Sequence, residues 1–254
     1  MEVRTMVTNP MEKKNTTIMR SDLHRLQPLA FLRLQNWLSP AFPAGSYSYS
    51  HGVEWAVEAG YIQDRESLVD WLAADLRYGT GRNEAIFFSE SWSGAMNDDR
   101  LKLLSAAELA TAFRGTSEFA LESAQQGLAL RTTISRVWRD SLLDWLSEEL
   151  LNRNLAAAPA VILGLASARQ SIPLAVALPA FLQSYVSNLV SAGVRLIPLG
   201  QTDGQAAIAT LEDVVLAVSS EAATATTRDL GSAAFFVDLA SMAHEIQYTR
   251  LFRS

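Results

Sequence analysis

Apolar positions recur at helical spacing along most of the chain, and clean period-two alternation is absent nearly everywhere. Leu26, Leu29, Ala30, Leu34, Trp37 and Leu38 form the first stripe. Pro28 falls in its first turn, where a missing N–H costs nothing. Pro40 requires this helix to stop by Ser39. The segment from Ser39 to Ser46 carries prolines and a glycine and reads as a loop. A second helix is predicted from Tyr47 to Ala59, with Tyr49, Val53, Ala56 and Val57 on one face and Gly60 as its stop. Asp64 is placed to cap a third helix whose stripe is Leu68, Trp71, Leu72 and Leu76.

Further helices are predicted around Glu84–Ala95, Asp98–Phe113, Ser117–Arg136, Trp138–Leu151, Ala157–Ala168, Pro179–Arg195, Gln205–Val218 and Ala233–Glu245. In the Ser117–Arg136 helix the small residues Ala120, Ala124 and Gly127 recur at helical spacing, which lets a neighbouring helix come close. Val214–Val218 would pass for a strand in isolation, but Ala207, Ile208 and Leu211 favour the helical reading. The pattern therefore implies an all-α fold: a single many-helix bundle domain over residues 23–254. Residues 1–22 are polar and aperiodic and are expected to be disordered. No Gly/Ser- or Pro-rich linker divides the rest.

Composition narrows the functional classes. The chain has 254 residues, 49% of them hydrophobic, enough for a substantial core. A formal net charge of -6 argues against a nucleic-acid partner, which would need clustered Lys and Arg. Lysine occurs only at Lys13, Lys14 and Lys102, and all other basic side chains are arginine. Arginine suits planar contacts at protein interfaces, although a composition bias gives the same count. The absence of cysteine excludes disulfides and thiolate metal ligation and fits a cytoplasmic location. The polar start lacks the apolar core of a signal peptide. The most apolar stretches, Leu155–Ala168 and Ile172–Leu182, are separated by Arg169 and Gln170 and are too short to span a bilayer, so no membrane partner is expected.

Catalytic motifs are broken or missing. No glycine precedes a lysine, so there is no phosphate-binding P-loop, and no G-x-G-x-x-G occurs. The histidines are His24, His51 and His244. His244-Glu245 resembles the start of a zinc-protease helix, but Tyr248 stands where the second histidine is needed. Ser46, Ser48 and Ser50 lie beside His51 without a nucleophile elbow and read as turn formers and caps. Asp98-Asp99 and Glu148-Glu149 read as solvated faces or charges at helix ends. An enzyme using Glu54 or His51 in an interior pocket is the main rival reading, and a generic helical adaptor unrelated to nickel is another.

Two segments stand apart. Ser39-Pro40-Ala41-Phe42-Pro43-Ala44-Gly45-Ser46-Tyr47-Ser48-Tyr49-Ser50-His51-Gly52-Val53-Glu54-Trp55 is a rigid turn feeding a helix crowded with aromatic and hydroxyl groups. The C-terminal stretch from Met242 interleaves Tyr248, Leu251 and Phe252 with Arg250 and Arg253. That mixture is the composition of a binding hot spot, and equally of a tail packed on its own domain. The first segment resembles the N-terminal signature of UreF proteins, and His244-Glu245-Ile246-Gln247-Tyr248-Thr249-Arg250-Leu251-Phe252-Arg253-Ser254 resembles their C-terminal signature. Between them, the stretch from Val194 to Gln205 is similar to a third UreF segment. The three occur in family order, and the one departure is Val53, where the family usually has leucine.

The resemblance implies an all-α, dimerising, non-enzymatic urease accessory protein. It implies binding of the UreD/UreH accessory protein, recruitment of the UreG GTPase, and nickel delivery to the urease apoprotein. GTP is then bound by a partner, and this chain has no resident cofactor; nickel passes transiently. Pro43, Gly45, Tyr49, Ser50, His51, Gly52 and Glu54 are the candidate protein-contact residues of the first segment, and Arg195 and Gln201 those of the middle one. His244, Glu245, Tyr248, Arg250, Leu251, Phe252 and Arg253 are those of the last. The tail, residues 246–254, is expected to order on partner binding, with Arg250 inserting towards Gly45 and Tyr49.

Overall fold

The computed structural model describes residues 27–253. The segment 1–22 expected to be disordered, His24 and Leu26 lie outside them. The helices among the described residues are α1 (Pro28–Trp37), α2 (Val53–Glu58), α3 (Arg65–Tyr78), α4 (Thr80–Met96), α5 (Arg100–Ala112) and α6 (Ser117–Val137). They continue with α7 (Ser141–Asn152), α8 (Pro159–Arg169), α9 (Leu174–Leu196), α10 (Gln201–Ala222) and α11 (Phe235–His244). Short 3-10 turns lie at Ser46–Ser48 and Thr227–Asp229, and no strand occurs among the described residues. The fold is all-α, as the periodicity implied.

Local chemistry explains the helix ends. Pro28 and Pro159 open α1 and α8 at the position that needs no N–H. Asp64 caps α3 by accepting from the Ser67 N–H at 2.9 Å, while Ser67 answers with its hydroxyl in a reciprocal box. Asp99, Thr116 and Asp140 cap α5, α6 and α7 by accepting first-turn N–H groups, without the reciprocal bond. Asp140 thus moves the start of α7 to Ser141, past the expected Trp138, which instead closes α6. The expected Pro179 start is also displaced. Helix α9 begins after Pro173 and carries Pro179 within it.

The largest difference from the sequence reading lies in the expected Tyr47–Ala59 helix. His51 (φ 56°) and Gly52 (φ 80°) adopt left-handed backbone, which no α-helix passes through. The segment is therefore split into the Ser46–Ser48 turn and the short α2.

Helix α4 is the axis of the molecule. It packs most extensively on α8 and also meets α3, α5, α9 and α10. Phe87, Phe88, Ile86, Leu103, Leu146, Ile162 and Leu182 are buried in one continuous core. Each such side chain contributes roughly 1.5–3 kcal/mol through burial. Small residues let the helices close up: a Cβ on Gly127 of α6 would sit 1.9 Å from the Ala157 carbonyl oxygen. Helix α9, 23 residues long, is long and apolar enough by length and composition to cross a membrane, unlike the shorter run marked in the sequence. In this fold Leu178, Leu182, Val186 and Leu189 of α9 belong to the core. The site described next lies where α2, α6, α9 and α11 meet the C-terminal tail.

Candidate protein-contact site and its buried polar clusters

The corner between α1 and α2 is held in an unusual backbone path. Gly45 (φ 73°) starts it in left-handed conformation. His51 repeats that conformation with a side chain, which is uncommon outside glycine although histidine is among the residues that adopt it most. Its ring is fixed on two sides: Nδ1 lies 3.1 Å from a Glu122 oxygen, and the imidazole stacks on Phe119 with centroids 3.9 Å apart. Gly52 is needed for its φ and for space, since a Cβ there would lie 3.1 Å from the Ser241 backbone nitrogen of α11. The N-cap of α2 is Gly52, with no side-chain cap, and the Ser50 hydroxyl accepts from the Glu54 N–H at 3.3 Å.

The tail folds back onto this corner. Helix α11 ends at His244, so Glu245 to Tyr248 do not continue the helix and the apparent zinc-protease spacing dissolves. The buried Glu54 carboxylate accepts from the Leu251 N–H at 2.6 Å and the Phe252 N–H at 2.9 Å. His244 Nε2 lies 2.9 Å from the same carboxylate. His244 Nδ1 is 2.9 Å from both oxygens of Glu118, and Arg250 Nη1 donates to Glu118 at 3.1 Å. Phe252 is buried, with the Arg195 guanidinium 4.3 Å above its ring. Arg195 also donates to the Tyr47 carbonyl at 3.0 Å. The Arg253 N–H donates to the Ser48 carbonyl at 2.8 Å, and Arg253 Nη1 shares the Gln125 side-chain oxygen with the Tyr49 hydroxyl.

Arg250 therefore does not insert beside Gly45 and Tyr49 as the sequence suggested. Arg250 pairs with Glu118, and Arg253 with Arg195 reaches the corner instead. Other candidates stay outside the cluster. Pro43 is exposed, Gln201 is exposed at the start of α10, and Glu245 is exposed while accepting from Ser117. Tyr248 is wholly exposed, and Leu251 points outward although its N–H is anchored.

Beside the corner opens a cleft of about 440 Å³ lined by Trp37, Tyr47, His51, Glu84, Arg114, Phe119, Glu122 and Tyr185, among others. Arg114 and Glu84 pair at 2.6 Å with both side chains buried. The Tyr185 hydroxyl donates to Asp75 at 2.8 Å, and Asp75 also accepts from the Thr80 N–H. Burial pulls the His51 imidazole down. The charge and hydrogen bond of Glu122, aided by Asp75 and Glu84, outweigh that pull and raise it above its ordinary value. Burial, with Asp75 adding to it, pushes the Tyr185 hydroxyl well above its ordinary value. Burial likewise raises Glu118 against the opposing pull of His244 and Arg250.

Glu54 and His51, the two residues of the rival enzyme reading, belong to separate clusters and do not converge on one point. Among the described residues, no group of three or more His, Asp or Glu side chains is arranged to hold a metal ion.

Sequence reasoning passed over Glu118, Glu122, Gln125, Asp75 and Tyr185. A signal existed for three of them. Glu118, Glu122 and Gln125 recur at helical spacing on α6, and the two acids are buried, where charged side chains are rare unless paired. Asp75 and Tyr185 carry no such mark, because only the tertiary crossing of α3 and α9 brings them together.

Comparison with known proteins agrees in one direction. The profile of the UreF family matches residues 62–212. A protein named urease accessory protein UreF from Rhodopseudomonas palustris (strain BisB5) is 46% identical over 228 residues, covering 90% of this chain and 93% of its own length. One of the same name from Bradyrhizobium diazoefficiens is 44% identical over 240 residues, covering 94% of this chain and 98% of its own length. Another from Granulibacter bethesdensis is 43% identical over 225 residues, covering 89% and 94%.

Proposed function

The chain belongs to the UreF family of urease accessory proteins, and on that footing we propose that it is a nickel-insertion chaperone acting as a scaffold. Proteins of this family are accessory factors, not catalytic enzymes. In the proposed role the chain binds the UreD/UreH accessory protein and recruits the UreG GTPase. It thereby brings nickel to the urease apoprotein, working in the cytoplasm as a homodimer. Nickel is cargo in transit, and GTP stays on the partner.

One observation carries this reading. The tail is anchored through its backbone and Phe252, yet it turns Ile246, Tyr248 and Leu251 outward. Phe235, Phe236, Leu239 and Met242 of α11 are exposed as well. Exposed apolar side chains of this kind suit a protein partner. The same tail holds the corner through Arg253 and, with Arg195, the Tyr47 carbonyl. A partner gripping Tyr248 and Leu251 would pull on the segment that sets the corner. That links UreD/UreH binding at the tail to UreG recruitment at the corner.

The test is co-expression of a urease gene cluster with and without this chain. Urease activity should require it. Equal maturation without it, or turnover of a metabolite by the purified chain, would overturn the reading. Arg195→Ala, which removes the donor to the Tyr47 carbonyl of the corner, should impair UreG recruitment while UreD/UreH still binds, and unchanged recruitment removes that residue from the role.

A further inference from the structure

We propose that the cleft beside the corner is a binding site for a small uncharged molecule, an amide or ketone on an apolar body. Its volume, about 440 Å³, falls in the range of small-molecule sites. Trp37, Phe119, Leu130, Leu163 and Phe181 give it largely apolar walls. Three side-chain nitrogens of residues in those walls are buried and have no hydrogen-bond partner among the described residues: Trp37 Nε1, His51 Nε2 and Arg114 Nη2. The side chains that carry them are each more than nine-tenths buried. Buried polar atoms are almost always paired, so three in the walls of one cleft point to a molecule that pairs them from inside it.

Charge selects the class of molecule. Glu84 and Glu122 are the acids of the walls, and each already faces a base. Glu84 lies 2.6 Å from Arg114, and Glu122 lies 3.1 Å from His51. An anion would compete with Glu84 for the guanidinium, and a cation would compete with Arg114 for Glu84. Breaking such a buried pair is costly, whereas an uncharged molecule leaves both pairs in place. Indole and guanidinium nitrogens only donate, so the molecule must bring acceptor oxygens, and His51 Nε2 can serve either role. A carbonyl group supplies that acceptor without a charge. Ser46, Tyr47 and His51 of the corner belong to the same walls. An occupant therefore braces the corner from the cleft side, while Arg195 and the Arg253 N–H hold it at the Tyr47 and Ser48 carbonyls. That is the position of a small-molecule effector of the corner.

The probe is acetanilide, an uncharged aryl amide, titrated into the full-length ¹⁵N-labelled chain. The readout is the Trp37 indole N–H signal, assigned through its own backbone, which should shift saturably. The expected dissociation constant is about 1 mM, the affinity open to a molecule of about ten heavy atoms at ordinary ligand efficiency. Benzoate and benzylamine have similar size but carry opposite charges, and each should bind at least about tenfold more weakly. Trp37→Phe removes the indole donor. It should weaken acetanilide about three- to tenfold, read at the Phe119 amide, the size of one neutral hydrogen bond. No saturable shift overturns the proposal, because water alone then pairs the walls. So does equal or tighter binding of either charged probe, or unchanged acetanilide affinity in Trp37→Phe. If that variant does not fold, nuclear Overhauser contacts from the acetanilide ring to the Leu130 or Leu163 methyls should place the probe in the wild-type chain. Their absence at saturation overturns the proposal. The scaffold reading needs no ligand in the cleft and is untouched by any of these outcomes.

Discussion

Glu118 and Glu122 stand one turn apart on α6, yet they serve two different neighbourhoods. Glu118 joins His244, Glu54 and Arg250 beneath the tail, where both ring nitrogens of the histidine are engaged. Glu122 joins His51 on the wall of the cleft, where His51 Nε2 and Arg114 Nη2 have no hydrogen-bond partner among the described residues. A closed network fixes one arrangement of its members, while one with free donors keeps capacity for something outside it. The chain thus uses similar residues in two ways. One cluster fastens its own C-terminal segment, and the other lines an open space.

The strongest way to break this contrast is Glu54→Ala. It removes the acceptor of two tail N–H groups and one partner of a buried histidine. The expected loss is about 3–5 kcal/mol of unfolding free energy by urea denaturation, with the tail released. Unchanged exchange at the Leu251 and Phe252 amides would mean that Glu54 does not fasten the tail.

Arg114→Ala sharpens the contrast from the other side. It leaves Glu84 buried without its cation, at a cost of about 3 kcal/mol. Exchange at the Leu251 and Phe252 amides should not change. Collapse of that protection would make the two clusters one unit.

The cleft histidine should also leave a signature in pH. His51 is raised in the folded chain above its unfolded value of 6.5. The folded state therefore binds the proton more tightly. The stability this contributes is fully present below the unfolded pKa and is lost as pH rises through the folded value. Unfolding curves across neutral pH should show that decline, and His51→Gln should flatten it.

Smaller effects follow at the tail. Phe252→Ala should free residues 246–253, seen as faster amide exchange. It should lower global stability by less than about 1 kcal/mol, because the segment opens locally rather than with the core. Tyr248→Ala touches a fully exposed side chain. It should leave the unfolding midpoint in place while weakening capture of UreD/UreH in pull-down.

Much of the fold was legible because helical stripes and caps are local. Asp64, Pro28 and Gly60 marked helix ends where they occur. The corner was not legible as a break, since left-handed backbone at His51 depends on Glu122 and Phe119 arriving from α6. The site was half legible. The signatures placed Glu54, His244 and the tail arginines in one list, but could not say that Glu118 would take Arg250 and leave the corner to Arg253. Choices among competing anions are made by tertiary distance, which residue spacing does not encode.

The central claim is that the chain works through contact surfaces governed by its last residues. The direct measurement is urease activation by co-expressed accessory proteins, using the full chain and a version ending at Gln247. The shortened chain should keep its helical circular dichroism and its core unfolding transition, yet fail to capture UreD/UreH and to activate urease. Full activation by the shortened chain, with its fold intact, would contradict the account.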